Sequence, residues 1–289
     1  MELRNDVLRL APPWISSAAG KPDREVGPVI AVERRRGPTG GVLWTPAQIA
    51  TALWLDAVDS TTIAAASGAT NQWSDKSGNL RHATATGTSR PTTGTRTINS
   101  NNTLDFNGTT NSLAFAPGTH PLSGTTSGMV VFAFQLDSDP PTAGTAAGGV
   151  CMDWGSFAGS NHMPFIDGII YEEWMTTTRY TAGNPTQSMS ATVCVASMVS
   201  ANNLWQLYIN GSLQFTSASN TYGIGATPVI GGRTGAFMDG RIGEIVAVGD
   251  NISSTLRQQI EGYMAGPTRW AGQSLLPVGH PYKSAAPTI

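Results

Sequence analysis

Apolar residues come along this chain in short runs separated by clusters of Gly, Thr, Ser and Asn, a punctuation that predicts strands joined by turns. Gly128 to Leu136 (Gly-Met-Val-Val-Phe-Ala-Phe-Gln-Leu) and Thr192 to Val199 are too apolar and too short for surface helices, so they read as buried strands. Leu204 to Thr216 holds Asn210-Gly211 between two strand-like runs. Asn-Gly supplies the positive φ angles of a type I′ turn, which predicts a hairpin with Tyr208 opposite Leu213 and Gln206 opposite Phe215. The other face carries Trp205, Leu207 and Ile209, so both faces are partly apolar, as in a strand covered on each side. One helix stands out. Leu256, Ile260, Tyr263 and Met264 form a single stripe, Thr255 and Gln258 have capping-box spacing, and Gly266-Pro267 stops it. No internal repeat of 20–50 residues is present.

The first 41 residues break this pattern. Pro12, Pro13, Pro22, Pro28 and Pro38 interrupt any regular element, and few apolar residues are available for a core. Residues 1–41 carry seven of the 17 Lys and Arg residues and five of the 19 Asp and Glu, leaving the remainder of the chain sparsely charged. That step predicts an extended arm at 1–41 that orders by docking on a partner, and a body at 42–289. Trp14 and the triplet Arg34, Arg35, Arg36 are its candidate anchoring residues. A single basic triplet is little reason to expect nucleic acid, and an acidic protein surface suits it better.

Composition agrees with many short strands: 33 Gly and 18 Pro, with 12% charged residues. No apolar run approaches the ~18 residues of a membrane span, and the charged opening Met1 to Asp6 is no secretory signal, so synthesis in a cytoplasm is expected. Cys151 and Cys194 are expected as buried thiols rather than a disulfide.

Three stretches carry a resemblance. They are Leu53 to Ala57 with Gln72 to Asn79 and Arg81 to Ala83, then Leu104 to Thr109, then Gly240 to Ile245 with Leu256-Arg257 and Ile260 to Ala265, closing on Leu276 to Lys283. In order and spacing, over roughly residues 52–285, they resemble the concanavalin A-like lectin/glucanase (laminin G-like) domains of bacteriophage virion structural proteins. The closing Gly279-His280-Pro281-Tyr282-Lys283 run is the most specific piece. The resemblance implies an all-β fold, a two-sheet antiparallel jelly-roll sandwich with one short C-terminal helix. It implies a protein of the virion surface made in the host cytoplasm, of capsid decoration, fibre or collar type, homo-oligomeric and bound to other virion proteins. The chain departs from the family at Gly266 to Gly272, where a longer segment replaces a shorter step after the helix.

Enzyme chemistry finds little support. Glucanases of this fold need two carboxylates on one face, about 5–5.5 Å apart for a retaining mechanism. Asp137 and Asp139 are the body's one i, i+2 acidic pair, and Pro140-Pro141 follows at once, which places them in a loop. Glu172-Glu173 would face opposite ways on a strand. Cys151 with His162 and Asp153 or Asp167 could be drawn as a thiol triad, but a buried thiol and a loop imidazole are the simpler reading. His82, His120, His162 and His280 lack paired zinc spacing. No cofactor is expected. Calcium at the rim stays open, with Asp75-Lys76-Ser77-Gly78-Asn79 read first as a hydrogen-bonded turn.

Residues 153–184 are the densest aromatic and polar stretch, and Trp154, Tyr171, Trp174 and Tyr180 are the candidate stacking residues for a host surface polysaccharide. Trp54, Trp73, Phe106 and Trp205 are expected in the core. The expected function is a non-enzymatic virion structural protein. A receptor-binding tail lectin and a polysaccharide-degrading enzyme are the alternatives.

Overall fold

The structure is a computed structural model that describes residues 41–140, 152–154, 162–225, 228–233 and 236–289. Trp14, Arg34, Arg35, Arg36 and Cys151 therefore lie outside the described residues. The described residues form an all-β sandwich with one α-helix; its strands and helix are those the apolar pattern predicts, and the sandwich is what the resemblance implies.

The first sheet runs, from its edge, Ser212–Ser217, Leu204–Ile209, Cys194–Ala201, Ser127–Leu136, Asp239–Gly249 and Leu53–Asp56, each neighbour antiparallel. The start of Asp239–Gly249 also pairs with Asn101–Asn107, from which the second layer continues through Thr92–Ile98, Ala69–Trp73, Ala83–Thr84 and Leu113–Phe115. One long strand thus carries both layers.

Ser127–Leu136 shows why a continuous apolar run is needed. Val130, Phe132 and Phe134 alternate into the core between the layers, while Met129, Val131 and Ala133 face the helix on the other side. Cys194–Ala201 repeats the arrangement, with Ala196 and Met198 inward and Val195 and Val199 toward the helix cluster. A strand covered on both faces has no polar side to show, so period-two alternation disappears from its sequence. Trp73, Trp205 and Phe106 lie in the inner core and Trp54 in the helix-side cluster, all buried.

The hairpin forms on Asn210 (φ 51°) and Gly211 (φ 75°). Tyr208 does face Leu213, but a bulge then shifts the register, so that Phe215 faces Leu207 and Gln206 faces Thr216. The extra residue is Gln214, whose amide bonds Ala182 O and Asn184 O (both 3.0 Å) and Thr186 N (3.1 Å). The bulge re-aims one polar side chain at a neighbouring loop.

The helix spans Ser254–Met264, and its cap is Ser253, whose Oγ accepts from Leu256 N (3.1 Å), rather than Thr255. The segment Gly266 to Gly272 fastens the helix. Trp270 Nε1 donates to Glu244 Oε2 (2.8 Å), and Arg269 bonds both Glu244 and Asp56. Trp54 Nε1 (2.7 Å) and the Tyr263 hydroxyl (3.0 Å) complete the shell of that fully buried carboxylate. Gly243 allows the approach, since a Cβ there would come within 2.5 Å of the Trp270 ring.

A second buried cluster explains the closing run. Glu261 takes both bonds from Arg257 (2.6 and 2.7 Å) and one from Ser197 Oγ (2.7 Å). His280 Nδ1 accepts from Tyr282 N (3.2 Å), so its Nε2 carries the proton and donates to Glu261 (3.0 Å). Arg257 lies 3.6 Å over the Tyr208 ring, and Lys283 closes on the carbonyls of Ser274 and Leu276. Helix, sheet and C-terminal run meet at one carboxylate.

Candidate functional site

The ribbon Ile170–Glu172 with Tyr180–Gly183 stands beside the sandwich, paired antiparallel with Tyr171 opposite Thr181. Gly168 and Asn184, at its end, line an open cleft of about 380 Å³ together with Asp139, Pro140, Pro164, Pro185, Gln187 and Ser188. The bulged Gln214 holds the far wall, because its amide fixes Asn184 and Thr186. Asn184 Nδ2 in turn donates to Gly168 O (3.0 Å), tying the two sides.

Asp139 organises the floor. Its Oδ1 accepts from Met189 N (2.7 Å) and Ser190 N (2.9 Å), and its Oδ2 from Ser188 Oγ (2.5 Å) and Ser190 Oγ (2.9 Å). Burial pushes this carboxyl up, but the four donors outweigh it and hold it below the usual carboxylate range. The other member of the acidic pair, Asp137, turns away to Arg96 and Arg241. Among the described residues one carboxylate lines the cleft, then, and its oxygens accept from four donors. Such a cleft offers amides, hydroxyls and proline faces for binding.

The sequence-named stacking residues divide. Trp154 and Trp174 are fully buried, which corrects their assignment to a surface platform. Trp154 packs against Phe115, His120 and Trp174, and Trp174 stacks on Phe132 at 5.8 Å while its carbonyl accepts from Trp205 Nε1. The physical reason is size: a sandwich this large fills its core with wide rings, and a ring count cannot separate core from rim. Tyr180 is half-buried against Trp205 and Phe215, with its hydroxyl on Asn220 (3.1 Å), so it too serves packing first. Tyr171 keeps a half-exposed ring, its hydroxyl donating to Asp167 Oδ2 (2.9 Å). Arg179, unmarked by any sequence pattern, lies over that ring at 5.1 Å.

No family model matches the chain, and no curated protein is similar to it. Solved structures do resemble it. The binding domain of botulinum neurotoxin serotype G superposes with a TM-score of 0.52 at 9% identity, over 74% of this chain and 51% of that one. A sialidase of Trypanosoma rangeli gives 0.48 at 12% identity, over 78% of this chain and 34% of that one. Domain 4 of an extracellular arabinanase from Geobacillus stearothermophilus, solved with arabinotriose, gives 0.44 at 14% identity, over 69% and 92%. The chain spans about a third to a half of the sialidase and neurotoxin structures. At such identities the neurotoxin likeness speaks for the fold alone.

Buried polar groups elsewhere are not open to substrate. Asp75 accepts from Trp54 N, Ser77 N, Ser77 Oγ and Arg81 N, so a cation there would have to displace four donors. Among the described residues no cluster of three His, Cys, Asp or Glu is placed to hold a metal. Glu172 and Glu173 are both fully buried, one at the end of its strand and one beyond it. Burial, and then the neighbouring Glu173 charge, hold the Glu172 carboxyl well above the usual range. Burial pushes the Cys194 thiol up to about 12, so it rests as a protonated core thiol; the triad drawn on Cys151 lies outside the described residues.

Proposed function

We propose that the body is a non-catalytic display module of a bacteriophage virion structural protein, of concanavalin A-like type, with residues 1–41 as its anchor on the particle. The motif resemblance over residues 52–285 supports the virion part, and the composition step near Gly41 supports the anchor. The observation that carries the non-enzymatic part is the state of Asp139, the one cleft carboxylate among the described residues, with its oxygens engaged by four donors. The amide-lined cleft suits weak adhesion to host surface polysaccharide, which many copies on one particle would multiply by avidity of about 10²–10⁴.

The test has three arms. A chain beginning at Gly40 is expected to melt cooperatively near the full-length temperature yet fail to join particles. A reducing-end assay on host polysaccharide is expected to stay at background; turnover abolished by Asp139→Asn would replace this reading with the polysaccharide-degrading alternative. Particles that assemble without the protein but lose host attachment would favour the tail lectin.

A further inference from the structure

Every lysine and arginine with a described side chain, except one, meets a carboxylate, a backbone carbonyl or an amide oxygen. The exception is Arg179. It is exposed, and among the described residues its one partner is the face of Tyr171, 5.1 Å away. The nearby carboxylate, Asp167, is engaged otherwise: its Oδ2 takes the Tyr171 hydroxyl and its Oδ1 takes Ile169 N (both 2.9 Å). The acid therefore positions the ring, and among the described residues no carboxylate pairs with the guanidinium.

This arrangement has a chemical consequence. A guanidinium lying on an aromatic ring is held without using its N–H groups, which stay available at the edge for a bidentate oxyanion. The ring belongs to the ribbon whose end, at Gly168 and Asn184, lines the polar cleft. A sugar seated in the cleft and an anionic group on Arg179 would so be read by one rigid element, fixed by the Gln214 and Asn184 bonds.

We propose that this ribbon makes the module selective for acidic saccharides, with Arg179, stacked on Tyr171, taking the sugar's anionic group and the Asn184–Gln187 cleft taking its hydroxyls. The inference rests on the glycan-adhesion reading above. The shared chemistry is a sugar-borne oxyanion, either a uronate carboxylate or a sugar phosphate.

The experiment measures binding of the full chain, immobilised at high density, to three polymers of matched length: polygalacturonate, a phosphodiester-linked saccharide and neutral galactan. Polygalacturonate or the phosphodiester polymer is expected to bind about tenfold or more tighter than galactan, the value of a charge-assisted pair, and whichever binds tighter names the source of the anion. Arg179→Gln is expected to erase that preference while leaving galactan binding unchanged, and Arg179→Lys to restore part of it. If Arg179→Gln keeps the preference, or galactan binds as well as both acidic polymers, the selectivity proposal fails and glycan adhesion stands. If none of the three polymers binds, adhesion itself fails, and the proposal with it.

Discussion

Two regions of this molecule use the same residue types to opposite ends. Around the helix, Glu244 and Glu261 are fully buried and each is surrounded by donors: Arg269, Trp54, Trp270 and Tyr263 for one, Arg257, Ser197 and His280 for the other. On the ribbon, Arg179 is exposed, and among the described residues its partner is the ring beneath it. A buried charge must be matched inside the protein, so the first region can specify a packing but offers nothing outward. An exposed charge with no internal partner adds little to stability and remains open to a ligand. Polar satisfaction, more than polar content, separates the lock from the site.

The largest expected effect lies in the lock. Glu261→Ala strands Arg257 and His280 in a dry interior, and equilibrium denaturation is expected to show a loss of about 3–5 kcal/mol. A loss no larger than that of a surface change would mean that the cluster is not a structural fastener. Trp174→Ala belongs next, at about 3–5 kcal/mol for a buried Trp. Any loss of glycan binding in that variant should track unfolding; a folded variant that has lost binding would return Trp174 to the site.

Acid offers a third measurement. Burial lowers the His120 pKa to about 4, against an ordinary 6.5, even though the Trp154 carbonyl opposes it. The folded form therefore binds fewer protons than the unfolded one. The stabilisation is complete above pH 6.5 and is lost as the pH falls from 6.5 toward 4. His120→Gln should flatten the melting temperature across that window, and an unchanged slope would place the acid sensitivity elsewhere. The smallest effect is at the rim: Arg179→Gln should shift stability by no more than ~0.5 kcal/mol in thermal or denaturant melts.

Much of the frame was legible in the sequence. The unbroken apolar run Gly128 to Leu136 announced a strand too apolar and short for a surface helix, and Asn210-Gly211 announced the turn between Leu204–Ile209 and Ser212–Ser217. What escaped depends on three-dimensional neighbours. The bulge at Gln214 exists because loop carbonyls at 182 and 184 take its amide, and no local pattern shows them. Ser253 outcompeted Thr255 as the cap because helix start is decided by backbone conformation as well as spacing. The segment 266–272 looked like a departure from a motif, and only the position of Glu244 shows what Arg269 and Trp270 reach. At the site, Trp154 and Trp174 were indistinguishable in sequence from Tyr171, since burial is a property of the fold. Arg179 carried no signal at all: its stacking on Tyr171 depends on the path of the ribbon and cannot be read from one chain position.

The body begins and finishes at one place. Leu43 bridges Thr288, Trp44 N donates to Pro287 O (2.9 Å) and Ile289 N to Val42 O (2.9 Å). Tension applied at Gly41 would therefore meet these antiparallel bonds one after another, as a zip opens, instead of loading them together. The peel would stop at Trp44, buried and set edge-on to Tyr263 at 6.0 Å, which has to be drawn out of the helix-side core before the sandwich itself is strained. A body of this build would yield a few residues of slack under a first tug and leave the sandwich intact.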